Sequence, residues 1–387
     1  MKHIIFGKPP IGIEEINFVS KVIKSKWIGS GKITQEFENK FRIFKGSKYA
    51  ISTNSCTSAL YLALKYSGVK AGDEVITTPM TFVSTINSII HVGAKPILAD
   101  VDPLSFNIDP IEIKKKITKK TKALLIVHLA GLPCEMNEIL KIVKKHKLIL
   151  IEDCAHAIES KYKNKHLGNF GDAGCFSFYS TKNITTGEGG MLICNKKKIY
   201  EKSKIARLHG LSRDAWKRYL PDNVRNKKKF EHYDVEEVGH KFNMIDLNAS
   251  IGIAQLKKIN KHWRDRKKLF EIYKNELKNL PIKFQKYEKK NKSIKHAYHL
   301  FLIVIDRKKT GKKRDQLLNY LQKNGIGCGI HYRCVTDFKI FKKIFRWNEL
   351  TCKKAKFIGD NTISLPLYPG INNREIKYIC EKIKNFF

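Results

Sequence analysis

The chain has 387 residues, enough for one large domain or two, and its hydrophobic share of 42% suits a soluble protein with a substantial core. Lys and Arg outnumber Asp and Glu 75 to 36, a formal charge of +39. The lysines are spread along the chain (Lys114 to Lys116, Lys227 to Lys229, Lys289 and Lys290, Lys353 and Lys354) rather than gathered with stacking aromatics, which argues against a nucleic-acid groove and for a solvated basic surface attractive to anions.

In chain order, the opening MKHIIFGKPP is too short an apolar segment for a secretory signal. No run of about eighteen uncharged apolar residues follows, so neither a membrane span nor a membrane partner is expected, and the chain reads as cytoplasmic. Tyr49 to Thr53 predicts a strand and Ser55 to Tyr66 a helix. Glu74 to Thr77 and Pro96 to Asp100 predict strands on either side of a helix from Thr81 to His91. The clearest unit is Ala123 to Leu129, then a helix over Glu135 to His146, then Leu148 to Glu152. Two continuous apolar runs joined by an amphipathic helix indicate a βαβ unit in a parallel sheet covered on both faces. Ala173 to Tyr179 and Gly190 to Cys194 add strands, and Tyr200 to Leu208 a helix. Leu211 to Val238 is polar, basic and aperiodic, as in a long excursion over the surface or across a subunit interface. Ile245 to about Leu280 is helical. Strands at His299 to Ile305 and Gly327 to Tyr332 then alternate with helices at Lys313 to Lys323 and Asn373 to Lys384. The expected division is a large domain over 1–247 and a smaller α+β domain over 248–387. Nine cysteines without a C-x-x-C pair or zinc-ligand spacing point to reduced thiols and no metal site.

Four features could carry chemistry, and each has an ordinary reading beside the functional one. Asp153 ends the strand LILIED, where ligands of open parallel sheets bind; it could equally be a cap or an ion-pair partner. Lys182 lies between the strand AGCFSFY and the glycine turn TGEGG, a setting unlike that of the many surface lysines. Asn54-Ser-Cys-Thr-Ser58 joins a strand to a helix, which makes a phosphate cup or a plain N-cap. Phe82 opens a helix on the same sheet and could cover a planar cofactor or simply pack in the core. A Schiff-base lysine, an acid for a pyridine nitrogen, a phosphate cup and an aromatic cover are the parts a pyridoxal-phosphate enzyme needs.

In order and spacing, FGKPPIGIEEI, KSKWIGSGKITQEFENKF, STNSCTSALYLAL, GDEVITTPMTFVSTINSI, IEDCAHAIES, FSFYSTKNITTGEGGML, RLHGLSRDAWKRY, GHKFNMIDLNASIGIAQL and LPLYPG resemble the DegT/DnrJ/EryC/StrS sugar aminotransferases nearly end to end. The resemblance implies the pyridoxal-phosphate-dependent fold type I: a mainly parallel seven-stranded sheet between helices, plus a smaller C-terminal α+β domain. It implies that Lys182 carries pyridoxal 5'-phosphate and moves protons, that Asp153 pairs with the ring nitrogen, and that Phe82 stacks on the ring. Thr57, Ser58 and Ser177 would bind the phosphate, and His156 would lie near the ring hydroxyl. Asn243 would reach the neighbouring subunit's phosphate site, so the active form would be at least a homodimer. Many members carry Asn where Lys241 stands, which makes Lys241 a second candidate there. Some relatives replace the lysine by His and become dehydratases; Lys182 within STKN points instead to transamination. L-glutamate would leave as 2-oxoglutarate, and the pyridoxamine form would aminate a nucleotide-linked keto sugar. His156 and the Lys241-Phe-Asn243 run favour carbon 4 of a UDP-linked sugar, in surface-glycan or lipopolysaccharide synthesis. His331 and Tyr332 are candidates for lining the sugar site. The competing expectations are a 3-keto sugar, a lyase or cyclitol enzyme on the same fold, and a basic nucleic-acid-binding protein on an inactive fold. Retention of Lys182 and Asp153 weighs against the last.

Overall fold

The computed structural model describes residues 3–212, 233–287 and 293–387. After helices α1 (Ile13–Lys24) and α2 (Lys32–Lys45), strands alternate with helices: β1 (Tyr49–Thr53), α3 (Cys56–Ser67), β2 (Glu74–Thr77), α4 (Val83–His91), β3 (Lys95–Leu98), α5 (Pro110–Lys116), β4 (Thr121–Val127), α6 (Met136–His146) and β5 (Ile149–Asp153). A small hairpin, β6 (Lys161–Tyr162) and β7 (Lys165–His166), precedes β8 (Ala173–Ser177), β9 (Gly190–Cys194) and α7 (Lys197–Ala206). The large sheet has seven strands in the order β1-β9-β8-β5-β4-β2-β3. Pairs from β8 through β3 are parallel, and β9 runs antiparallel to β8 and to β1.

Side-chain alternation in β4 and β5 explains why this sheet needs helices on both faces. Leu124, Ile126 and Leu150 enter one core with Phe37, Phe41 and Ile139, while Leu125, Val127 and Ile151 enter the opposite core with Leu60, Leu64 and Leu192. Glu152 and Asp153 continue that alternation, so they leave β5 on opposite faces.

The second sheet, β10 (Ile282–Phe284), β12 (Phe301–Ile305) and β13 (Thr362–Leu365), is antiparallel. Helix α8 (Asp246–Leu277) supplies Ala249 and Ile253 to the first core and Leu269, Tyr273 and Leu277 to the core of this second sheet. The expected 247/248 division falls in the first turn of α8. The remaining elements are β11 (Ile294–Lys295), which pairs with β6, and helices α9 (Arg307–Thr310), α10 (Arg314–Lys323), α11 (Lys339–Phe345), α12 (Lys353–Asn361) and α13 (Asn373–Phe386).

Several segments depart from expectation. The strand expected over Pro96 to Asp100 ends at Leu98, because the Asp100 carboxylate accepts the Lys354 and Ala355 N–H groups at the start of α12. The helix expected over Tyr200 to Leu208 begins earlier and ends at Ala206; Leu208 then bridges to Lys241. Gly327 to Tyr332 forms no strand: its sheet contact is one bridge, Gly329 to Ser364. Residues 213–232 of the expected excursion lie outside the described residues, and its ends meet in a bridge between Leu211 and Val235.

Candidate active site

The C-terminal ends of β4, β5 and β8 converge with the N-termini of α3 and α4, the crevice in which open α/β sheets take ligands. Asp153 terminates β5 and is 4% exposed. Its Oδ1 accepts the Ala155 N–H at 3.1 Å, and its Oδ2 accepts the Thr85 hydroxyl at 3.0 Å. Burial pushes its pKa up, against the opposing pull of these donors and of the Lys182 charge.

Lys182 sits in the loop between β8 and β9, its N–H bonded to Tyr179 O at 2.9 Å. Phe178 braces the loop at two points, donating to Gly189 O and accepting from Thr186. Two glycines are required here. Gly187 has φ +79, and a Cβ on Gly190 would lie 2.4 Å from the Ser55 carbonyl, so β9 can begin against α3 only without a side chain. Burial lowers the Lys182 amine to about 8, while Cys56 and Asp153 pull it back up. A lysine this close to neutrality exchanges its proton readily and exists partly as a nucleophile.

At α3, Ser55 caps the helix by accepting the Ser58 N–H at 3.2 Å, and the Ser58 hydroxyl donates to Asn54 Oδ1 at 2.7 Å. Thr57 lies in the first turn, where N–H groups lack intrahelical partners. Ser177 ends β8 and its Oγ accepts the Tyr179 N–H. Phe82, the residue before α4, is 58% exposed and lies 6.2 Å from the Tyr332 ring. So bare an aromatic beside a crevice is not core packing.

His156 is buried, and its Nδ1 accepts the Ala130 N–H at 3.2 Å. The proton therefore resides on Nε2, which donates to the Tyr332 hydroxyl at 3.0 Å. Burial, then the Lys182 and His331 charges, drive the His156 pKa well down, so the ring is neutral. Tyr332 stacks on it at 15°, and His299 lies 4.4 Å away on a tilted ring. His331 is held through Nδ1 by Ser364 at 2.8 Å and stacked by Phe6 at 5.4 Å; burial brings its pKa down to about 3.

The structure thus brings Lys182, Asp153, Phe82, His156, His331 and Tyr332 together, with Thr57, Ser58 and Ser177 at the helix end. It places Lys241 and Asn243 differently. Asn54 donates to the Lys241 carbonyl, but the Asn243 amide turns to Ser30, and its Oδ1 is buried without a partner. Sequence reasoning missed Thr85, Phe6, His299, Ser364 and Asn248, whose amide donates to Thr186 O at 2.6 Å. Thr85, one turn beyond Phe82, carried a readable signal; Phe6 and Ser364 reach His331 only through the tertiary fold. His128, Glu152 and Cys154 converge near Asp153 with metal-ligand atoms, but His128 and Glu152 are already bonded to each other and to backbone N–H groups.

A lysine of lowered pKa facing a buried carboxylate, an uncovered ring and a hydroxyl-lined helix N-terminus fit pyridoxal phosphate. These features define a pyridoxal-phosphate enzyme of fold type I. Residues 9–384 match the DegT/DnrJ/EryC1/StrS aminotransferase family, to which the chain belongs; it is a pyridoxal-phosphate-dependent sugar aminotransferase. The spore coat polysaccharide biosynthesis protein SpsC of Bacillus subtilis is 38% identical over 98% of this chain and 96% of its own. Helicobacter pylori PseC, an aminotransferase of pseudoaminic acid biosynthesis, superposes with TM-score 0.90 at 30% identity, covering 100% of this chain and 99% of that one. Spr1654 of Streptococcus pneumoniae, assigned as a sugar aminotransferase and solved in PLP and PMP forms, gives 0.89 at 28% identity for the PLP form, covering 99% and 98%.

Proposed function

We propose that this enzyme moves the amino group of L-glutamate onto carbon 4 of a UDP-linked 4-keto sugar, a 6-deoxy sugar in the preferred case. The product would serve surface polysaccharide or lipopolysaccharide synthesis in the cytoplasm. The supporting observation is the hydrogen bond from neutral His156 to Tyr332 beside Lys182. Because Nε2 donates, the Tyr332 proton is left to point at a sugar oxygen, and a ring hydroxyl next to the reacting ketone is a suitable acceptor. When bound, the cofactor supplies an electron sink that stabilises a carbanion. Lys182 would hold it and carry protons between reacting carbons, with a pKa near the working pH as general acid–base catalysis requires. Asp153 would keep a proton on the ring nitrogen, Phe82 would cover the ring, and Thr57, Ser58 and Ser177 would hold the phosphate. His331, neutral and clamped by Ser364 and Phe6, would line the sugar side. The division into 1–247 and 248–387 belongs to the same reading, with α8 as the shared element.

The basic surface favours a nucleotide-linked, and therefore anionic, sugar. A homodimer with shared sites is supported by exposed Ile13, Ile16, Ile23 and Ile28 on and beyond α1, which a second copy would cover. The Asn243 position, turned to Ser30 within its own chain, fits a residue serving the partner's phosphate site. Matched 3-keto and 4-keto nucleotide sugars offered with L-glutamate, and NMR location of the new amine, test the substrate. Amination of the 3-keto compound alone would refute carbon 4 and leave the aminotransferase intact. Mixing Lys182→Ala subunits with Asn243→Ala subunits should restore activity above that of either parent. No recovery under demonstrated subunit exchange would exclude shared sites.

A further inference from the structure

A cleft of about 360 Å³ lies at the edge of the large sheet, where α2 and α7 flank β1. That size is within the range of small-molecule sites, which begin at roughly 300 Å³. Its walls carry four cationic side chains, Arg42, Lys48, Lys204 and Arg207, against one carboxylate, Glu38. Glu38 is already engaged: it pairs with Arg207 and accepts the Ser52 N–H at 2.9 Å and the Ser52 hydroxyl at 2.7 Å. Tyr49 and Tyr200 stack with centroids 4.6 Å apart at 18° and form a flat wall.

The floor is the outer edge of β1. Ser52 faces outward, since its N–H goes to Glu38 and its carbonyl accepts Arg207 Nη1 at 2.8 Å. Asn54 faces the same way, donating to Phe242 O at 2.6 Å. Outward-facing residues of an edge strand alternate by two, so the Ala50 N–H and carbonyl also point outward, and Ala50 lines the cleft. The edge is therefore capped at residues 52 and 54 and opens onto a cationic concavity at residue 50.

We propose that this cleft binds a small anion bearing more than one phosphate charge, of the class of diphosphates and nucleoside phosphates. Lys48 and Arg42 meet its charge, and the Ala50 N–H supplies a directed donor. Arg42 donates to Asn39 Oδ1 through Nε and Nη2, which orients its guanidinium and leaves Nη1 for the anion, whereas Glu38 and Ser52 hold the Nη1 of Arg207. The aromatic wall gives a base or sugar ring a surface to rest on. A basic surface alone would spread cations in water; here they converge over the strand edge at Ala50.

The test uses holoenzyme at low ionic strength, titrated calorimetrically with inorganic pyrophosphate and, separately, with UMP. The expected result is one saturable site per chain that the Arg42→Ala/Lys48→Ala variant loses or weakens at least tenfold, with cofactor absorbance and turnover unchanged. Tighter binding of UMP than of pyrophosphate would assign a role to the tyrosine wall; the reverse order would assign the site to phosphate alone, and either supports it. Should the double variant fold poorly, Lys48→Glu, a change at an exposed side chain, is read the same way. No saturable binding of either probe at millimolar concentration, or a site that survives these substitutions unchanged, overturns the proposal without touching the aminotransferase reading.

Discussion

Glu152 and Asp153 are neighbours on one strand, both carboxylates and both buried, yet their surroundings are opposite. Glu152 accepts the N–H groups of Gly168 at 2.8 Å, Phe170 at 2.7 Å and Gly171 at 2.9 Å, as well as His128 Nε2 at 3.3 Å. Burial works against its charge, but His128 and these N–H groups prevail, and its pKa falls below the ordinary value. Asp153 has two donors, and burial wins, so its pKa rises. A carboxylate whose acceptor sites are all filled by its own chain is fixing a loop. One left with capacity and facing a lysine is poised to meet a ligand, at a cost in stability.

That contrast can be broken by substitution. Asp153→Asn should lower turnover by ~10³-fold, the scale of a lost acid–base contribution. It should leave the apoprotein at neutral pH no less stable, because a pKa raised by folding means that ionisation above the unfolded value destabilises the native state. Turnover near that of the parent, or a large fall in melting temperature, would show that Asp153 is structural after all. Glu152→Gln should do the reverse: an amide NH2 thrust against backbone donors costs about 3 kcal/mol, while activity per folded molecule persists. Its pH dependence has the opposite sign. With a folded pKa below the ordinary 4.5, the Glu152 contribution is complete above that value and vanishes as pH falls through the folded pKa. The melting temperature of the Glu152→Gln enzyme should accordingly depend less on pH in the acid range.

The smallest effect concerns Lys182. If its free amine titrates at about 8, cofactor uptake by the apoprotein should rise ~10-fold between pH 7 and pH 9, following the neutral fraction. An ordinary lysine would give ~100-fold over the same interval. Stopped-flow absorbance separates the two slopes, and the steeper one would mean that burial leaves the amine unperturbed.

Legibility from sequence followed the range of the interactions. The β4–α6–β5 unit was readable because continuous apolar strands and an amphipathic helix are local signals, and the site residues at strand ends came with it. Its place between a strand and a glycine turn set Lys182 apart from the other lysines, and the resemblance gave it a role; in the structure that setting is a braced loop that needs glycine at 187 and 190. The fate of Gly327 to Tyr332 could not be read. Its composition suits a strand, but whether a strand forms depends on a partner edge, and Ser364 offers a single bridge before the chain turns into the crevice. The group of cations at residues 42, 48, 204 and 207 was likewise invisible, because it assembles from α2 and the turn before β1 on one side and the end of α7 on the other, far away in the chain.

The N-terminal segment has a temporal consequence. Ile4 bridges Ile326, and Phe6 stacks on His331, across more than three hundred residues of intervening chain. During synthesis, a ribosome that has released Phe6 must still add that whole length before its ring partner exists. The sheet that presents Asp153 and Lys182 can assemble long before then, but the wall containing His331 cannot. Cofactor captured on the nascent chain would therefore occupy a half-built crevice, and the wall that carries His331 is completed only once that intervening length has been made.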